Sequence, residues 1–322
     1  MDKKDLRIIF MGTPKFAVES LGSLLDGGYN VVAVVTQPDK SVGRHGSVLQ
    51  ASAVKEYALS HGLPVLQPEK MKDPIFVEKL KSYDADLQVV VAYRMLPEVV
   101  WSMPHYGTFN VHAALLPQYR GAAPINWAVI NGETKTGVTT FFLDHDIDTG
   151  RIIMQKEFII PDDADVEYVY DGLMRLGAQV CISTVDAVIN GDGRVAAIDQ
   201  PDNIEFKKAP KIFKETCQIN WKQDAKRIHD FIRGLSPYPG AWTTLCCNSD
   251  KSSSVLKIFK TCKTGRKSVK DAGVIFYEHN RLFINTIDEL LEIIELQLAG
   301  KKRMPAKSFI NGFHNLEDFY IS

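Results

Sequence analysis

Residues 6–12 read Leu-Arg-Ile-Ile-Phe-Met-Gly, a short apolar run that a glycine ends. A second apolar run of strand length spans residues 31–36. Between the two runs, residues 16–25 form a segment of helix length that two glycines follow. Short runs that are apolar on both faces are typical of parallel strands covered by helices. This stretch therefore predicts a strand, helix, strand unit, the building block of an α/β fold.

The same alternation continues through the first 190 residues. It predicts further helices at 51–61, 74–83 and 163–189, and further strands at 64–66, 87–93, 108–112, 137–143 and 151–160. A short turn-like stretch separates the last two strands, which are expected to form an antiparallel hairpin that extends the sheet. The predicted fold class is α/β, with a doubly wound, mostly parallel, Rossmann-like sheet.

The last third of the chain has a different pattern. Residues 191–210 are rich in Gly, Asp, Pro and Lys, and this composition predicts a linker. One amphipathic helix at 223–233 and short strands at 241–246, 255–263, 274–277, 281–284 and 291–298 are typical of a small β-barrel of the oligonucleotide-binding (OB) type. The Leu and Glu content of 291–298 also suits a helix. The expected domains are 1–190 and 211–322, joined by the linker 191–210.

The composition narrows the class of protein. With 322 residues, 45% of them hydrophobic and 24% charged, the chain is expected to be a soluble globular protein. Its longest apolar runs fall far short of the roughly 20 residues that cross a membrane. The first run is also too short for a secretory signal, so a cytoplasmic location is expected. The five cysteines are odd in number and lack Cys-x-x-Cys spacing, which argues against a disulfide framework or a zinc site.

The net charge of −1 hides a strong asymmetry along the chain. Residues 1–202 hold 18 Lys and Arg against 26 Asp and Glu, a net charge of −8, whereas residues 203–322 hold 20 against 13, a net charge of +7. A basic second domain is typical of proteins that bind a polyanion.

The strand at 108–112 carries the first residues suited to catalysis. Because side chains alternate along a strand, Asn110 and His112 share one face. The imidazole can accept or relay a proton, and the amide can donate a hydrogen bond to an oxygen that becomes negative during attack on a carbonyl. The chain has no Gly-x-Gly-x-x-Gly turn after its first strand and no Walker loop, which disfavours nicotinamide, flavin and P-loop enzymes.

A second polar cluster, Asp144-His145-Asp146-Ile147-Asp148, lies at the connection between the two hairpin strands. One of its carboxylates can orient His112 or stabilise its charge. The cluster also suits a solvated turn or an oxygen-ligated metal site, although it lacks a known ligand spacing.

One longer string is highly specific. Asn110-x-His112 is followed by Leu-Leu-Pro-x-Tyr-Arg-Gly-Ala-Ala-Pro-Ile at 115–125, with Asp-Thr-Gly at 148–150. This string resembles the folate-dependent formyltransferases, in the long form that acts on methionyl-tRNA. The similarity covers nearly the whole chain and includes residues 10–14, 36–40, 43–44 and 300–302.

The resemblance implies that Asn110, His112 and Asp148 form the catalytic group, with 10-formyltetrahydrofolate as the formyl donor and no metal. The donor is expected near the Leu-Leu-Pro loop, formed by Ala114, Leu115, Leu116 and Pro117. The implied acceptor is the amino group of initiator methionyl-tRNA, in translation initiation. A monomer is expected.

The resemblance also makes residues 36–50 a loop that inserts at the acceptor end of the tRNA, with Arg44 as its basic contact. A flexible surface loop is the alternative. Lys207, Lys208 and Lys211, together with the basic stretch 257–270, suit phosphate contacts or a solvated face. Trp221, Trp242 and Tyr238 suit stacking on bases, although Trp242 also suits the barrel core.

The chain departs from the family's pattern at three places. Ala114 stands where the family commonly has Ser, so a hydroxyl near the folate is absent. Asp146 stands where Gly is frequent, beside a titratable His145. Tyr93-Arg94-Met95 replaces a more usual Tyr-Gly-x.

Two other functions fit parts of this pattern. One is a formyltransferase acting on a small amine, such as a sugar nucleotide or glycinamide ribonucleotide, which needs neither the basic second domain nor the loop at 36–50. The other is a tRNA-binding protein that has lost catalysis, which gives no reason to retain all three catalytic side chains.

Overall fold

A computed structural model describes residues 1–42, 48–201, 205–312 and 316–321. Arg44 lies outside the described residues. The backbone forms two units, each assembled from three stretches of chain. The first unit comprises Met1–Gly121, Thr136–Ile159 and Tyr170–Lys208, and the second comprises Ala122–Lys135, Ile160–Val169 and Ala209–Ser322.

In chain order the strands are β1 (Ile8–Gly12), β2 (Val31–Val35), β3 (Lys40–Val42), β4 (Val48–Gln50), β5 (Val65–Leu66), β6 (Leu87–Val91), β7 (Thr108–His112), β8 (Arg120–Gly121), β9 (Lys135–Phe142), β10 (Ile152–Ile159), β11 (Lys208–Ala209), β12 (Ala241–Cys247), β13 (Ser253–Lys267), β14 (Ile275–Glu278), β15 (Arg281–Asn285), β16 (Glu289–Leu298), β17 (Met304–Pro305) and β18 (Phe319–Ile321). The helices are α1 (Lys15–Asp26), α2 (Ala53–Ser60), α3 (Pro74–Lys81), α4 (Glu98–Trp101), α5 (Pro124–Ile130), α6 (Val166–Asn190), α7 (Ala225–Gly234) and α8 (Ala306–Gly312).

The first unit is built on a seven-stranded sheet in the order β10-β9-β7-β6-β1-β2-β5. The pairs β1/β2, β1/β6, β2/β5 and β6/β7 are parallel, whereas β7 and β9 are antiparallel. From β1 the chain builds first to one side with β2 and then to the other with β6, so the strand order reverses between β1 and β6. Ligands of such sheets bind beyond the carboxyl ends of the strands at the reversal. The carboxyl ends of β1, β6 and β7 are therefore where a site is expected.

The carboxyl end of β1 requires a glycine. A Cβ atom at Gly12 would lie 2.6 Å from the Cβ of Ala17 and 3.0 Å from the backbone oxygen of Val91. Any larger residue would push α1 away from the sheet.

One buried apolar cluster joins the sheet to the neighbouring helices. Its strand residues come from β1, β2 and β6, and its helix residues include Phe76, Leu80 and Val100. Helix α2 is capped by Ser52, whose hydroxyl accepts a hydrogen bond from the backbone N–H of Lys55, and α3 is capped by Asp73 in the same way. The cluster packs the sheet against α3 and α4.

Helix α6 is the only helix of the described ranges that is long and apolar enough to cross a membrane by length and composition. About two thirds of its most apolar window, 67%, is buried inside the protein. A helix buried within a fold passes the same test, so this helix is a core element here.

The second unit is an antiparallel sheet in the order β14-β15-β16-β13-β12-β18, with β17 paired to β16. Its end strands β14 and β18 approach one another, so the sheet forms a nearly closed barrel. Helix α7 packs against β13 and β16 and buries Ile228 and Ile232 in the barrel core, and α5 packs on α7. The predicted fold class, a mostly parallel α/β sheet followed by a small barrel, is confirmed.

The strand predicted at 291–298 is confirmed as part of β16, because β16 pairs with β13 and β15 on both sides, which excludes the alternative of a helix. Other elements differ from the prediction. The sequence pattern did not indicate α5, α8 or β18. Within the stretch predicted as a linker, the backbone of Ile198 pairs with Ile152, and Gln200 is buried.

Candidate active site

Strand β7 positions Asn110 and His112 at its carboxyl end. Asn110 lies between Val90 of β6 and Phe141 of β9, and His112 is the last residue of the strand, opposite Thr139. The two side chains lie on the same side of the sheet because they are two residues apart. The amide of Asn110 is half-buried and makes no hydrogen bond to any residue that the structure describes. It is therefore available to a ligand.

The imidazole of His112 is held from one side by a backbone carbonyl. Its side chain is almost fully buried, and its Nε2 atom lies 3.0 Å from the carbonyl oxygen of Tyr119. A carbonyl oxygen only accepts hydrogen bonds, so Nε2 carries the hydrogen. In the neutral ring, Nδ1 is then the atom with a free lone pair.

Asp148 lies opposite that lone pair. Its Oδ2 atom is 3.9 Å from Nδ1 of His112, which is too long for a direct hydrogen bond. The same Oδ2 atom accepts a hydrogen bond of 2.9 Å from the backbone N–H of Gly121. Asp148 has a φ of +57°, a left-handed conformation that is uncommon outside glycine. The sheet and the connection that follows β9 thus bring together the imidazole and the carboxylate.

A buried amide from the predicted linker holds the backbone of this connection. Nε2 of Gln200 donates to the carbonyl oxygens of Asp148, at 2.9 Å, and Gly150, at 2.8 Å. Its Oε1 atom accepts from the guanidinium of Arg120, at 3.1 Å from Nε and 2.6 Å from Nη2. The guanidinium also lies over the ring of Phe206, 4.7 Å from its centroid. Sequence reasoning missed Gln200 because it treated residues 191–210 as a connector.

The Leu-Leu-Pro loop follows β7 directly. Ala114 and Leu116 are buried, and Leu115 and Pro117 are partly exposed. The hydroxyl of Thr139 donates to the carbonyl of Ala114, at 2.6 Å, and accepts from the N–H of Leu116, at 3.1 Å. The amide of Gln155 donates to the carbonyl of Leu116 and to the same hydroxyl. The backbone of this loop is therefore fixed by β9 and β10.

The segment 36–50, which the resemblance implies is a tRNA-contacting loop, contains the antiparallel pair β3 and β4. At its base, the carboxylate of Asp39 accepts hydrogen bonds from Nζ of Lys55, at 2.6 Å, and from Nε2 of Gln67, at 2.7 Å. The hydrogen bond from Lys55 holds the pKa of Asp39 below its usual value. Val48 and Leu49 of β4 are exposed apolar side chains.

The departures from the family's pattern have structural consequences. The guanidinium of Arg94 donates to the backbone oxygens of Pro68 and Glu69. Beside it, burial raises the pKa of Tyr93. His145 packs edge-on against Trp101, with ring centroids 5.4 Å apart, and its Nδ1 lies 4.0 Å from Glu98.

A metal site was one alternative for the cluster at 144–148. In the described part of the chain, this cluster included, no three His, Cys, Asp or Glu side chains are grouped so that they could hold a metal ion.

The basic and aromatic residues named for tRNA contacts differ in exposure. Lys207, Lys208 and Lys211 are exposed. Tyr238 is 82% exposed, whereas Trp221 is buried in the barrel core and donates to Thr243. The expectation that Trp221 stacks on bases is therefore wrong. Nε1 of Trp242 donates to the backbone oxygen of Lys214, and its ring packs against the core.

A cavity of about 570 Å³ opens at the other end of β7. It is lined by His105, Tyr106, Gly107, Phe142, Arg151 and residues 193–196. Asn110, His112 and Asp148 do not line this cavity, so it is not the candidate active site. The candidate site is instead identified by the polar side chains at the carboxyl end of β7.

Two family models match the chain. The model described as formyl transferase matches residues 6–185, and the model described as formyl transferase, C-terminal domain, matches residues 211–314. The chain is 57% identical to the methionyl-tRNA formyltransferase of Parabacteroides distasonis over 326 residues, covering 100% of each. It is 54% identical to the methionyl-tRNA formyltransferase of Bacteroides fragilis, covering 99% of this chain and 98% of that one.

Solved structures share the fold. WlaRD, a sugar 3N-formyl transferase solved with dTDP and 5-N-formyl-THF, has a TM-score of 0.64 at 20% identity, covering 92% of this chain and 99% of that one. HypX from Aquifex aeolicus in complex with tetrahydrofolic acid has a TM-score of 0.62 at 16% identity, covering 98% of this chain. This chain spans about half of the length of HypX, 50%. The two family models and the full-length relatives establish that the chain, which has this fold, belongs to the formyl transferase family.

Proposed function

We propose that this chain transfers the formyl group of 10-formyltetrahydrofolate to the amino group of initiator methionyl-tRNA, in translation initiation. The observation that carries the proposal is the convergence of a free amide, a buried imidazole and a carboxylate at the carboxyl end of β7. Full-length relatives named methionyl-tRNA formyltransferase, more than half identical to this chain, support the choice of acceptor.

The reaction follows from these groups. The amino nitrogen of the methionyl ester attacks the formyl carbon, a new N–C bond forms, and the carbonyl oxygen gains negative charge. The bond from the formyl carbon to N10 of the folate then breaks, N10 takes a proton, and tetrahydrofolate leaves. The amine loses one proton and N10 gains one, so the overall transfer is balanced without any further reactant.

Each catalytic residue has a distinct task in this scheme. Asn110 donates to the oxygen as it becomes negative, which for a single donor contributes on the order of 10² to 10³ in rate. His112 takes the proton of the amine on Nδ1, or relays it toward N10. Asp148 stabilises the imidazolium that forms when Nδ1 takes this proton, and its carboxylate orients the ring in that charged form. Proton transfer by a positioned group contributes roughly 10² to 10⁴.

The folate binds beside the Leu-Leu-Pro loop in this proposal. Leu115 and Pro117 supply partly exposed apolar surface, and the buried Ala114 and Leu116 hold the backbone in place. Apolar contact suits the pterin ring, and backbone N–H and C=O groups suit its polar edge.

The tRNA is bound by the positively charged part of the chain. We assign residues 1–190 to catalysis, 191–210 to the linker and 211–322 to tRNA binding. Arg44 contacts the acceptor end. Lys207, Lys208 and Lys211 contact phosphates, and they supply three of the positive charges in residues 203–322, whose net charge is +7. Because its substrate is charged tRNA, the protein is expected to act in the cytoplasm, and we propose that it acts as a monomer.

The acceptor decides between this proposal and a small-amine formyltransferase. The purified protein is given 10-formyltetrahydrofolate with initiator methionyl-tRNA, elongator methionyl-tRNA, free methionine or an amino-sugar nucleotide. Rapid formylation of the initiator tRNA, and none of free methionine, is the expected outcome. Formylation of the sugar nucleotide alone would overturn the choice of acceptor, and tRNA binding without any transfer would indicate a protein that has lost catalysis.

A further inference from the structure

The Asp148–Gly150 connection needs an external restraint. Asp148 is held at a φ of +57°, and a Cβ at Gly150 would lie 1.7 Å from the backbone oxygen of Phe142. The carbonyl oxygens of Asp148 and Gly150 are both turned toward one amide, that of Gln200. Thr149 adds only a 3.2 Å hydrogen bond to the backbone oxygen of Asp146.

We propose that Gln200 is a positioning residue for formyl transfer: its amide fixes the connection so that the carboxylate of Asp148 faces His112. This inference rests on the proposed function. Gln200 touches neither the reacting atoms nor His112, and it acts through the backbone of Asp148.

An uncharged amide suits this position better than other side chains. Its NH₂ group supplies two donors, one for each carbonyl, and its oxygen supplies the acceptor that faces the guanidinium of Arg120. Rotating the amide by half a turn would place its NH₂ against the guanidinium and its oxygen against two carbonyls. The surroundings therefore select one orientation of the side chain.

Burial makes the restraint effective. Only 7% of Gln200 is exposed, so water has little access to replace the lost hydrogen bonds. Asp148 is anchored at its carboxylate by Gly121 and at its carbonyl by Gln200. Releasing one of two anchors lets the carboxylate shift relative to Nδ1 of His112, and a misplacement of about 1 Å costs roughly 10² in rate.

The test compares Gln200→Leu, Gln200→Glu and a matched control, Gln88→Leu. Gln88 is a second buried amide of the first unit, where it accepts from Thr108, at 3.0 Å, so this control measures the cost of losing a buried amide as such. Turnover and the two KM values are measured for transfer from 10-formyltetrahydrofolate to initiator methionyl-tRNA, alongside the thermal unfolding midpoint. Gln200→Glu keeps the acceptor for Arg120 but removes both donors.

We expect both Gln200 variants to lose about 10- to 100-fold in kcat with KM values changed less than about threefold, because positioning affects the reacting complex rather than binding. Gln88→Leu is expected to lower the unfolding midpoint and leave kcat within about twofold. A Gln200→Glu variant with wild-type kcat would overturn the proposal, since the donors would then be dispensable. A Gln200→Leu variant whose kcat matches that of Gln88→Leu would also overturn it.

A double-mutant cycle with Asp148→Asn separates positioning from general damage to the fold. If Gln200 acts through Asp148, then Gln200→Leu has little further effect on kcat once the carboxylate is gone. Fully additive losses would contradict the proposal even if both single variants were slow. A wild-type protein that formylates no acceptor would instead contradict the proposed function, so the two failures are distinguishable.

Discussion

At the scale of single residues, the site depends on two backbone conformations that most side chains avoid. Tyr119, whose carbonyl accepts from His112, has a φ of +61°, and Asp148 has a φ of +57°. Such conformations cost free energy and persist only where surrounding contacts hold them. Tyr119 and Asp148 lie on opposite sides of the imidazole, which indicates that these two strained conformations serve to orient His112.

Replacing Asp148 by Asn tests the charge without disturbing the backbone, because Asn also tolerates a left-handed conformation. We expect kcat to fall by roughly 10² to 10⁴ while the affinity for tRNA changes little. The matched control is Asp144→Asn, in the same connection, which is expected to keep at least about half of the wild-type kcat. Equal losses in the two variants would mean that charge in the connection matters but the contact with His112 does not.

A second prediction at this scale concerns His229 of α7. Burial lowers its pKa from 6.5, the neighbouring Asp230 and Asp163 oppose the shift, and Arg233 and Lys263 add to it. Its Nδ1 bonds the hydroxyl of Thr261. The folded protein thus favours the neutral ring. The contribution of His229 to the free energy of unfolding is therefore fully present above pH about 6.5. It is lost as the pH falls below that value, because the unfolded chain binds the proton first.

The measurement is urea unfolding at pH 7.5 and pH 5.5 for the wild type and for His229→Gln, which keeps a polar group at this position. The wild type is expected to lose more stability over this interval than the variant. The same loss in both proteins would show that His229 does not carry the pH dependence.

At the scale of elements, β9 supports both parts of the site. Through Phe141 and Thr139 it pairs with Asn110 and His112, and the hydroxyl of Thr139 fixes the Leu-Leu-Pro loop. That hydroxyl uses all of its hydrogen-bonding capacity, one donor and two acceptors, on Ala114, Leu116 and Gln155.

Thr139→Val is therefore expected to loosen the loop. The KM for the folate donor should rise about fivefold, the equivalent of about 1 kcal/mol, while kcat changes little. Thr140→Val is the control, because Thr140 is the next residue of the same strand and bonds Thr184 instead, at 2.8 Å. Stability should fall in both variants. If Thr140→Val raised the KM for the folate donor as much as Thr139→Val, then the Thr139 hydroxyl would have no specific role in holding the loop.

Local pattern predicted most of the elements, and the reasons for its failures are physical. Runs such as 31–36 and 87–93 are apolar on both faces, which is typical of a sheet covered by helices on both sides. The sheet of the first unit could therefore be predicted from the sequence. The strand predicted at 291–298 is confirmed as β16, but a local window could not exclude a helix there, because the pairing with β13 and β15 joins distant segments. Helix α5 was missed because it has only seven residues.

The sequence predicted the three catalytic side chains but not the contacts that hold them. Alternation along one strand places Asn110 and His112 on one face, and the resemblance at Asp-Thr-Gly adds Asp148 from a second segment. The contact that holds His112 comes from Tyr119, and the contacts that hold Asp148 come from Gly121 and Gln200, in segments whose approach depends on the tertiary fold. Backbone groups and a lone amide have no sequence signature, so no pattern could have indicated them.

At the scale of the whole molecule, charge is distributed unevenly. Net charges of −8 on residues 1–202 and +7 on residues 203–322 nearly cancel, so the net charge of the whole chain does not show that residues 203–322 are suited to bind a polyanion. If Lys207, Lys208 and Lys211 contact phosphates, tRNA binding must weaken as salt rises, by about 0.7 to 0.9 log units per contact for each log unit of salt.

The triple variant in which these three lysines become Ala is expected to bind tRNA more weakly and to reduce the salt slope by roughly two to three units. A control variant removes three exposed lysines near and within α3, Lys72, Lys79 and Lys81, with the same change in net charge. Filter binding across a salt series measures both slopes. Identical slopes in the two variants would mean that only net charge matters.

Single-turnover formyl transfer is the most direct measurement of the central claim, that Asn110, His112 and Asp148 act together on one carbonyl carbon. Wild type and His112→Ala are each mixed with labelled 10-formyltetrahydrofolate and initiator methionyl-tRNA, and tRNA affinity is measured in parallel. The account predicts that wild type formylates the tRNA and that the variant binds it almost as tightly but reacts at least about 10² more slowly. A His112→Ala protein that transfers formyl at the wild-type rate would contradict it.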